Sequence, residues 1–492
     1  MENIEWTKQL KYQPYSKWPA EYQKRLKKKV LNSLFRMNYH IQPDSGLLND
    51  PNGFSFFNGK WHLFYQYFPM GTIHGLKSWF HLTSSDLINW EEQGYALIPD
   101  NQYDNCGVYS GSAIELKGKL LLFYTGNVRT EEWKRIPYQN GAWLDTENNI
   151  SKIQKPLIYP NENYTEHFRD PMLFNYQDKV YAVVGAQDKM LSGRIALYEM
   201  KEENLHEWEY HGNLNFTDNN LGYMIECPNL VFINNIPVLI FCPQGLNRDY
   251  HFYENVYPNV YMIGKSFDPQ DCSITPNSNL VNIDEGFDLY ATQAFNSPDG
   301  RVLSISWIGL PDIAYPTDSE GWSGCLSLVK ELSIIDGKLI QYPVEETKSL
   351  RGKAVFCDLI DVIKVPEKRS YELETEIAEN KKVKLTLFAN SEKTKGLFLT
   401  IDTLNGYLVV DRKKSGIPFA KEFGYTRTIR IAKHKKIKLN LFVDNSVIEI
   451  YVNKGEKTIT SRIFPDITQD YICSDQHLPA TVWPLRTTKL AK

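Results

Sequence analysis

Three acidic residues begin three similar segments of the chain. Asp50, Asp170 and Glu226 each precede a run rich in apolar residues, and a proline follows each of them directly or one residue later. Because proline fixes its own φ and keeps the preceding residue extended, each carboxylate should be held at the start of a strand. Carboxylates that share one site repel each other, so the pKa of at least one of them should rise. One protonated and one ionised carboxyl group are what the cleavage of a glycosidic bond requires.

Two other interpretations of these acids are weaker. A single aspartate before proline is usually a turn or cap residue, but this does not explain three acids at one repeat position. Carboxylate oxygens also bind calcium or magnesium. No acidic loop of calcium-binding spacing accompanies these residues, and the neighbouring Arg169 would oppose a cation. We therefore expect no metal and no cofactor at this site.

The three acids belong to a five-fold repeat, in which each copy consists of an apolar strand, a tight turn and a second apolar strand. The turns lie at Gly59, Gly118, Asp178, Asn235 and Gly300. The intervals between these turns are 59, 60, 57 and 65 residues. Asp50, Asp170 and Glu226 lie 9, 8 and 9 residues before their own turns. The acids therefore start equivalent strands in three of the five copies.

The period of the repeat predicts an all-β fold. Repeats of about 60 residues with several short strands are typical of one four-stranded blade each. We expect a five-bladed β-propeller over residues 43–348, since a parallel β-helix needs shorter repeats and a barrel need not repeat. Equivalent inner strands surround the axis of a propeller, so the three carboxylates should face one another across a central pocket.

Residues 349–492 have a different pattern. From Tyr371 onwards apolar residues alternate with polar ones, which is typical of half-buried antiparallel strands. Asn405 and Gly406 give a strong signal for a two-residue hairpin turn. We expect a C-terminal β-sandwich here, with a role in structure or assembly.

Residues 1–42 form an N-terminal extension. A short helix is predicted to begin near Pro19, with Ser16 as its cap. One apolar stripe follows this helix at intervals of four residues, at Tyr22, Leu26, Val30 and Leu34. Because the stripe is narrow, docking on the main domain is favoured over a helix that lies on a membrane surface.

The composition is that of a globular protein with two or more folded units. The 492 residues are 42% hydrophobic and 23% charged, and a formal net charge of −4 gives no reason to expect a nucleic-acid partner. The 13% of aromatic residues suit both β-sheets and surfaces that bind sugars. The seven cysteines are scattered, the N-terminus lacks an apolar signal core, and no apolar run approaches the roughly 20 residues that span a bilayer. These features predict a cytoplasmic protein with no membrane partner.

The sequence blocks around the three acids resemble the signature blocks of a known enzyme family. They read NDPNG at 49–53, FRDP at 168–171 and ECP at 226–228, and they resemble those of the β-fructofuranosidases, glycoside hydrolase family 32. The resemblance extends from about residue 40 to residue 345 and continues weakly through FVDNS at 442–446. Within the family, the chain is most similar to bacterial members that cleave sucrose 6-phosphate.

The resemblance implies a propeller followed by a sandwich, in agreement with the repeat analysis, and a role for each acid. Asp50 would be the nucleophile, Glu226 the acid and then the base, and Asp170 would stabilise the oxocarbenium-like transition state. The expected reaction is hydrolysis of sucrose 6-phosphate to glucose 6-phosphate and fructose with retention of configuration. Three alternatives remain open: cleavage of unphosphorylated sucrose or short fructans, an inverting propeller glycosidase, and a non-catalytic sugar-binding propeller.

Further residues are expected to contact the sugar or its phosphate. Where many family members have Trp-Met and Trp-Gly, this chain has Leu47-Leu48 and His74-Gly75, and a smaller, more cationic rim would suit a phosphorylated glucose. The expected sugar contacts are Leu47, Leu48, Asn49, Gln66, His74, Trp79, Tyr109, Ser110, Arg169, Tyr290 and Trp307. The candidate phosphate contacts are His74, Lys77, Arg129, Lys134, Arg135 and Arg194. The expected partner is this small-molecule sugar alone, bound by a monomer or a homodimer.

Overall fold

The fold is nearly all-β, as the repeat predicts. A computed structural model describes residues 4–202, 204–488 and 490. Strands account for 51% of the residues and helices for 8%. Within the described residues, no helix has both the length and the apolar composition needed to cross a bilayer.

The described part of the chain contains two α-helices, five short 3₁₀ helices and thirty-five strands. The α-helices are α1 (Lys8–Lys11) and α2 (Ala20–Leu31). The 3₁₀ helices are Tyr15–Lys17, Pro316–Glu320, Glu345–Leu350, Glu367–Arg369 and Lys421–Phe423. The strands before residue 345 are β1 (Gly46–Phe57), β2 (Lys60–Phe68), β3 (Ser78–Ser84), β4 (Trp90–Leu97), β5 (Val108–Leu116), β6 (Lys119–Arg129), β7 (Arg135–Leu144), β8 (Ile150–Lys152), β9 (Tyr164–Tyr176), β10 (Lys179–Asp188), β11 (Gly193–Met200), β12 (Trp208–Asn213), β13 (Met224–Ile233), β14 (Ile236–Gln244), β15 (Val260–Asp268), β16 (Ser273–Pro276), β17 (Val281–Asn282), β18 (Leu289–Asn296), β19 (Val302–Ile308), β20 (Trp322–Ser323), β21 (Cys325–Leu326), β22 (Lys330–Ile335) and β23 (Lys338–Pro343).

These strands form five sheets in chain order. The first three sheets are antiparallel and consist of β1 to β4, β5 to β8 and β9 to β12. β20 joins the first sheet beside β1. β13 to β17 form the fourth sheet, and β18, β19, β21, β22 and β23 form the fifth. The first strands of the sheets contact each other in cyclic order, from β1 through β5, β9, β13 and β18 back to β1.

The five predicted hairpins are confirmed at the predicted turns. The first four turns have positive φ at both central residues, for example 48° at Asn58 and 73° at Gly59 in the first. This conformation matches the twist of the flanking strands, and Asn and Gly adopt it at little cost. The turn before β19 is longer, and the Ser297 side chain closes it by donating to the carbonyl of Arg301 at 2.9 Å.

The C-terminal region forms two further sheets. Its strands are β24 (Val355–Asp358), β25 (Ile363–Lys364), β26 (Ser370–Ile377), β27 (Lys382–Ala389), β28 (Gly396–Asp402), β29 (Tyr407–Lys414), β30 (Thr426–Arg430), β31 (Ile437–Asp444), β32 (Val447–Val452), β33 (Lys457–Arg462), β34 (Tyr471–Ser474) and β35 (Pro479–Pro484). The sheet orders are β24-β35-β26-β31-β32-β33 and β25-β34-β27-β28-β29-β30. Leu373 and Ile450 of one sheet share an apolar core with Leu385 and Leu399 of the other, so alternate residues of each strand are buried between two layers.

The N-terminal extension packs on the first sheet. α2 begins at Ala20 as predicted, but Pro19 occupies the cap position without a side-chain hydrogen bond, and Ser16 belongs to the preceding 3₁₀ helix. Leu26 and Val30 are buried, whereas Leu34 lies beyond the helix and is 74% exposed. The predicted cap and the end of the predicted stripe are therefore wrong, because the chain turns away after residue 31.

Asp444, in the FVDNS segment, ties the N-terminal extension to the C-terminal sheets. Its carboxylate accepts hydrogen bonds from the backbone nitrogens of Asn38, Tyr39 and His40 at 2.7–2.9 Å, and from His40 Nδ1 at 2.9 Å. Ser446 Oγ donates to the carbonyl of Phe35 at 2.6 Å. The weak similarity at 442–446 therefore marks a buried interface.

Candidate active site

A pocket of about 280 Å³ lies where the first strands of the five sheets approach one another. Its walls are formed by Tyr12, Asn49, Asp50, Gln66, His74, Gly75, Lys77, Tyr109, Arg135, Arg169, Asp170, Glu226, Gln244, Tyr290, Trp307 and Pro311. The three acids that the repeat singles out thus border one cavity. Most of the remaining walls are polar or aromatic side chains, a composition suited to a sugar.

A β-bulge in each first strand directs side chains into this pocket. The register with the second strand shifts between Leu48 and Pro51, Val108 and Gly111, Arg169 and Met172, Glu226 and Asn229, and Tyr290 and Gln293. A bulge bends the strand and re-aims its side chains, so consecutive residues can reach the same side. Asn49 and Asp50 both line the pocket for this reason, as do Arg169 and Asp170.

Asp50 is held by two neutral donors. Asn49 Nδ2 donates to its Oδ1 at 3.0 Å, and Ser110 Oγ donates to its Oδ2 at 2.5 Å. Burial raises the pKa of Asp50 and the charge of Glu226 adds to the rise, while Ser110, Asn49 and Lys77 oppose it, so the net pKa lies above the ordinary value. The hydrogen bonds fix the carboxylate without neutralising it, which suits a nucleophile.

Glu226 has a different set of partners. Arg169 donates to its Oε1 from Nε at 3.2 Å and from Nη2 at 2.8 Å. Gln244 Nε2 and the Tyr290 hydroxyl donate to its Oε2 at 2.8 and 2.9 Å. Burial would lower the pKa of Arg169, but the carboxylates of Glu226 and Asp170 more than offset this and raise it. Each carboxylate oxygen of Glu226 therefore accepts two hydrogen bonds.

Asp170 has a strained backbone conformation, so the extended conformation expected for the residue before Pro171 is wrong. Its φ is 63°, which is uncommon for a residue other than glycine, and its N–H donates to Thr125 Oγ1 at 3.0 Å. Its Oδ2 accepts from the backbone nitrogen of Cys227 at 3.1 Å. Cys227 Sγ lies 3.7 Å from both Asp170 Oδ2 and Asp50 Oδ2, so these two carboxylates share a neighbour. Burial raises the pKa of Asp170 to about 7. The charges of Glu226 and Asp50 add to the rise, while Arg169 and the N–H of Cys227 oppose it.

Sequence comparisons identify the family. The family described as "Glycosyl hydrolases family 32 N-terminal domain" matches residues 40–343, and its C-terminal counterpart matches residues 341–476. The chain belongs to glycoside hydrolase family 32. The predicted resemblance is confirmed, and as a family 32 enzyme the protein is a glycoside hydrolase, so the non-catalytic alternative is set aside.

Family 32 relatives match almost the whole chain. The sucrose-6-phosphate hydrolase of Streptococcus mutans is 49% identical over 94% of this chain and 95% of its own length. The solved structure of sucrose-6-phosphate hydrolase from Lactobacillus gasseri has 45% identity and a TM-score of 0.96, and the match covers 98% of this chain and 100% of that one. A Bombyx mori β-fructofuranosidase in complex with sucrose has 30% identity and a TM-score of 0.83, over 95% of this chain and 97% of its own.

The family 32 pocket includes seven of the eleven sugar contacts expected from the sequence, and the other four are buried outside its lining. Leu47, Leu48 and Trp79 have exposed fractions of 3%, 0% and 0%, and none of them lines the cavity. The two leucines pack in the apolar core below the pocket, and Trp79 Nε1 donates to the carbonyl of Tyr109 at 3.0 Å. A direct contact with the sugar is therefore not proposed for these three residues. Ser110 is also behind the wall, where it holds Asp50.

The candidate phosphate contacts divide into two groups. His74, Lys77 and Arg135 line the pocket, and Arg129 is the strand partner of Arg135. Lys134 is exposed and borders a neighbouring groove instead. Arg194 Nε pairs with Asp188 Oδ2 at 2.8 Å and does not line the pocket. We therefore do not propose Lys134 and Arg194 as phosphate contacts.

Four wall residues are missed by the sequence argument, namely Tyr12, Gly75, Gln244 and Pro311. Gln244 could have been found from the repeat. It ends the second strand of the fourth hairpin, and Gln66 lies near the end of the second strand of the first hairpin. Tyr12 has no such signal, because it comes from the N-terminal extension and reaches the pocket only through tertiary packing.

Lys77 is buried in the pocket wall rather than placed at its rim. It is 2% exposed, and its Nζ donates to Asn49 Oδ1, so that Asn49 connects Lys77 to Asp50. Burial lowers the pKa of Lys77 to about 7, although the charge of Asp50 opposes this. The same charge interaction lowers the pKa of Asp50.

We predict that Lys77→Gln moves the acid limb of kcat/KM against pH to higher pH. Asp50 is the nucleophile expected from the sequence and would have to be ionised, and removing the positive charge of Lys77 raises the pKa of Asp50. The measurement is a pH profile with sucrose as substrate, with Lys134→Gln as a control that removes an exposed lysine outside the pocket. An acid limb that stays in place in Lys77→Gln would contradict the interaction.

Proposed function

We propose that this protein hydrolyses sucrose 6-phosphate to glucose 6-phosphate and fructose with retention of configuration. The observation that carries the proposal is the convergence of Asp50, Asp170 and Glu226 on one pocket, each with its own hydrogen-bond partners. The substrate is supported by the relatives from Streptococcus mutans and Lactobacillus gasseri, which are named sucrose-6-phosphate hydrolases and match more than nine-tenths of the chain.

In the first step, an oxygen of Asp50 attacks the anomeric carbon of the fructosyl unit. The bond from that carbon to the glycosidic oxygen breaks, and Glu226 gives its proton to the departing oxygen, so glucose 6-phosphate leaves. In the second step, Glu226 takes a proton from water, which attacks the same carbon and releases Asp50 and fructose. Two inversions at one carbon give net retention.

Asp170 and Arg169 hold the fructosyl unit during both steps. Asp170 accepts from sugar hydroxyls and stabilises the positive charge that develops at the anomeric carbon. In the empty pocket, Arg169 is hydrogen bonded to Glu226. A sugar hydroxyl that accepts from Arg169 weakens this pairing, which allows Glu226 to carry the proton it must donate. Asn49, Gln66, Tyr109, Tyr290 and Trp307 complete the proposed fructosyl site.

We also propose that the five sheets are the blades of a five-bladed propeller. The cyclic contacts of the first strands, ending with β18 on β1, support a closed ring. The proposed units are an N-terminal extension over residues 1–42, the propeller over 43–348 and a β-sandwich over 349–492. The proposed substrate favours a cytoplasmic location, because a charged sugar phosphate crosses a bilayer poorly and is met inside a cell after phosphorylating uptake.

Two measurements test the proposed reaction. Comparison of kcat/KM for sucrose 6-phosphate and sucrose should favour the phosphorylated substrate; equal values would transfer the assignment to sucrose, which the Bombyx mori relative binds. The configuration of the fructose released in the first turnovers, followed by NMR before mutarotation, should be that of the substrate. Release of the opposite anomer would establish the inverting alternative instead.

A further inference from the structure

Two arginines face each other beside the active-site pocket. Arg135 lines the pocket, and Arg129 does not line it but is the strand partner of Arg135. Arg129 ends β6 and Arg135 begins β7, and they are direct partners in the antiparallel register. Like charges directly opposite on neighbouring strands destabilise a sheet, and Arg169 adds a third guanidinium nearby. Burial lowers the pKa of Arg135, and the charges of Arg169 and Arg129 lower it further, while Tyr109 and Glu166 oppose the shift. The local charge therefore favours the arrival of an anion.

Neither arginine has a carboxylate partner that neutralises it. Among the described residues, no carboxylate oxygen lies within 4.0 Å of either guanidinium, and the buried Nε of each lacks a hydrogen-bond acceptor. Arg129 Nη1 donates to the carbonyl of Trp133 at 3.2 Å. Glu166 is the nearby acid, but its Oε2 accepts from the backbone nitrogen of Arg135, at 2.8 Å. Buried guanidinium donors without an acceptor are costly, so an anion that supplied acceptors here would be bound favourably.

The N-terminal segment encloses this pair from the other side. The Tyr12 ring packs edge-on against Trp133 with ring centroids 5.1 Å apart, and Arg129 lies 5.5 Å from the centroid of the Trp133 ring. Lys8 Nζ lies 4.1 Å from the same centroid. Tyr12 and Arg135 line the pocket together, and Arg135 lies 5.6 Å from the centroid of the Tyr109 ring. Aromatic rings thus orient both guanidiniums without neutralising them.

Backbone contacts fix the N-terminal segment in this position. Leu76 N donates to the carbonyl of Lys11 at 2.8 Å, and the Tyr15 hydroxyl donates to the carbonyl of Leu76 at 2.5 Å. The Trp6 ring covers Gly71 so closely that a Cβ there would lie 2.1 Å from it. The segment is therefore bound to the loop between β2 and β3 that carries His74 at the rim.

We propose that Arg129 and Arg135, enclosed by Tyr12 and Trp133, form the subsite that binds the phosphate of the leaving group. This inference rests on the proposed function, since it assigns the phosphorylated end of that substrate to one side of the pocket. Planar guanidiniums present paired N–H donors that match phosphate oxygens, which Lys77 cannot do because it is committed to Asn49. The N-terminal extension is then part of the specificity site and is more than a packing element.

The test compares two substrates in four proteins. Wild type, Arg129→Gln, Arg135→Gln and the neighbouring control Lys134→Gln are assayed with sucrose 6-phosphate and with sucrose. In each arginine variant we expect kcat/KM for sucrose 6-phosphate to fall between about tenfold and about a hundredfold, while kcat/KM for sucrose changes by less than about threefold. Lys134→Gln should match wild type on both substrates. Tyr12→Ala should lose selectivity in the same direction, and unfolding midpoints check that each variant is folded.

The outcomes separate the subsite from the proposed function. If wild type prefers sucrose 6-phosphate but both arginine variants keep that preference, or lose activity equally on both substrates, the subsite is wrong while the function stands. If wild type treats both substrates alike, the proposed function fails. Inhibition of sucrose cleavage by glucose 6-phosphate, measured against glucose, then decides the subsite: inhibition weakened in the arginine variants supports it, and inhibition unchanged in them overturns it.

Discussion

Replacement of Asp50 by Asn should abolish turnover while leaving the fold intact. The variant keeps the size of the side chain and an oxygen that can accept from Ser110, but an amide is too weak a nucleophile to form the covalent intermediate. We expect kcat to fall by at least roughly four orders of magnitude on any fructosyl substrate. The measurement is kcat at saturating substrate, together with the unfolding midpoint. The midpoint should stay level or rise, because the substitution removes a buried charge that faces Glu226.

A matched control for this variant is Asp178→Asn. Asp178 lies in the turn between β9 and β10, where φ is 61° and Asn is at least as well suited as Asp. The control should therefore retain wild-type kcat and stability. A value of kcat in Asp50→Asn within about tenfold of wild type would exclude Asp50 as the nucleophile.

Replacement of Asp444 by Ala should produce the largest loss of stability. Asp444 satisfies three consecutive backbone N–H groups and the ring of His40, all of them buried. Removing the carboxylate leaves these donors without an acceptor and leaves His40 with Glu449 as its remaining charged partner, at 3.0 Å. We expect the free energy of unfolding to fall by about 3–5 kcal/mol, measured by urea denaturation. Glu376→Gln, which removes an exposed pair with Lys436 just before β31, should cost less than about 1 kcal/mol.

The same interface predicts how stability depends on pH. Burial lowers the pKa of His40, but Asp444 and Glu449 outweigh it and raise this pKa to about 9 from 6.5. Stability from His40 is therefore complete below pH 6.5 and lost as the pH rises through about 9. Burial raises the pKa of Glu449, but Lys330 and His40 lower it to about 2, so its contribution is complete above 4.5 and lost as the pH falls through about 2. Asp444→Ala should flatten the alkaline dependence, and an unchanged slope between about pH 7 and pH 9 would contradict this assignment.

The hairpins and the three acids could be predicted because their signals are local. A tight turn such as Asn58-Gly59 depends on the conformational preferences of two residues, and the alternation of apolar residues fixes which strand faces are buried. Repetition then places Asp50, Asp170 and Glu226 at equivalent points. The sequence pattern did not predict the β-bulges. A bulge allows Arg169 and Asp170 to line one pocket although they are consecutive residues.

The partners of these residues could not be predicted, because they join segments far apart in the chain. Cationic residues such as Lys77, Lys134 and Arg194 look alike in the sequence, yet one is buried beside Asn49, one is exposed and one is paired with Asp188. Burial and the available partner set the pKa and reach of a charged side chain, and both depend on the packed structure.

The sequence by itself determined the all-β class, the five hairpins, the family and the three acids that line one pocket. These follow from local conformational preference and from a repeat that places like residues at like positions. Only the tertiary structure decided that Tyr12 lines the pocket, that Arg129 is paired with Arg135, and that Asp444 binds the N-terminal extension. The physical reason is that each of these contacts depends on the relative placement of packed sheets and segments, which short-range patterns in the chain do not encode.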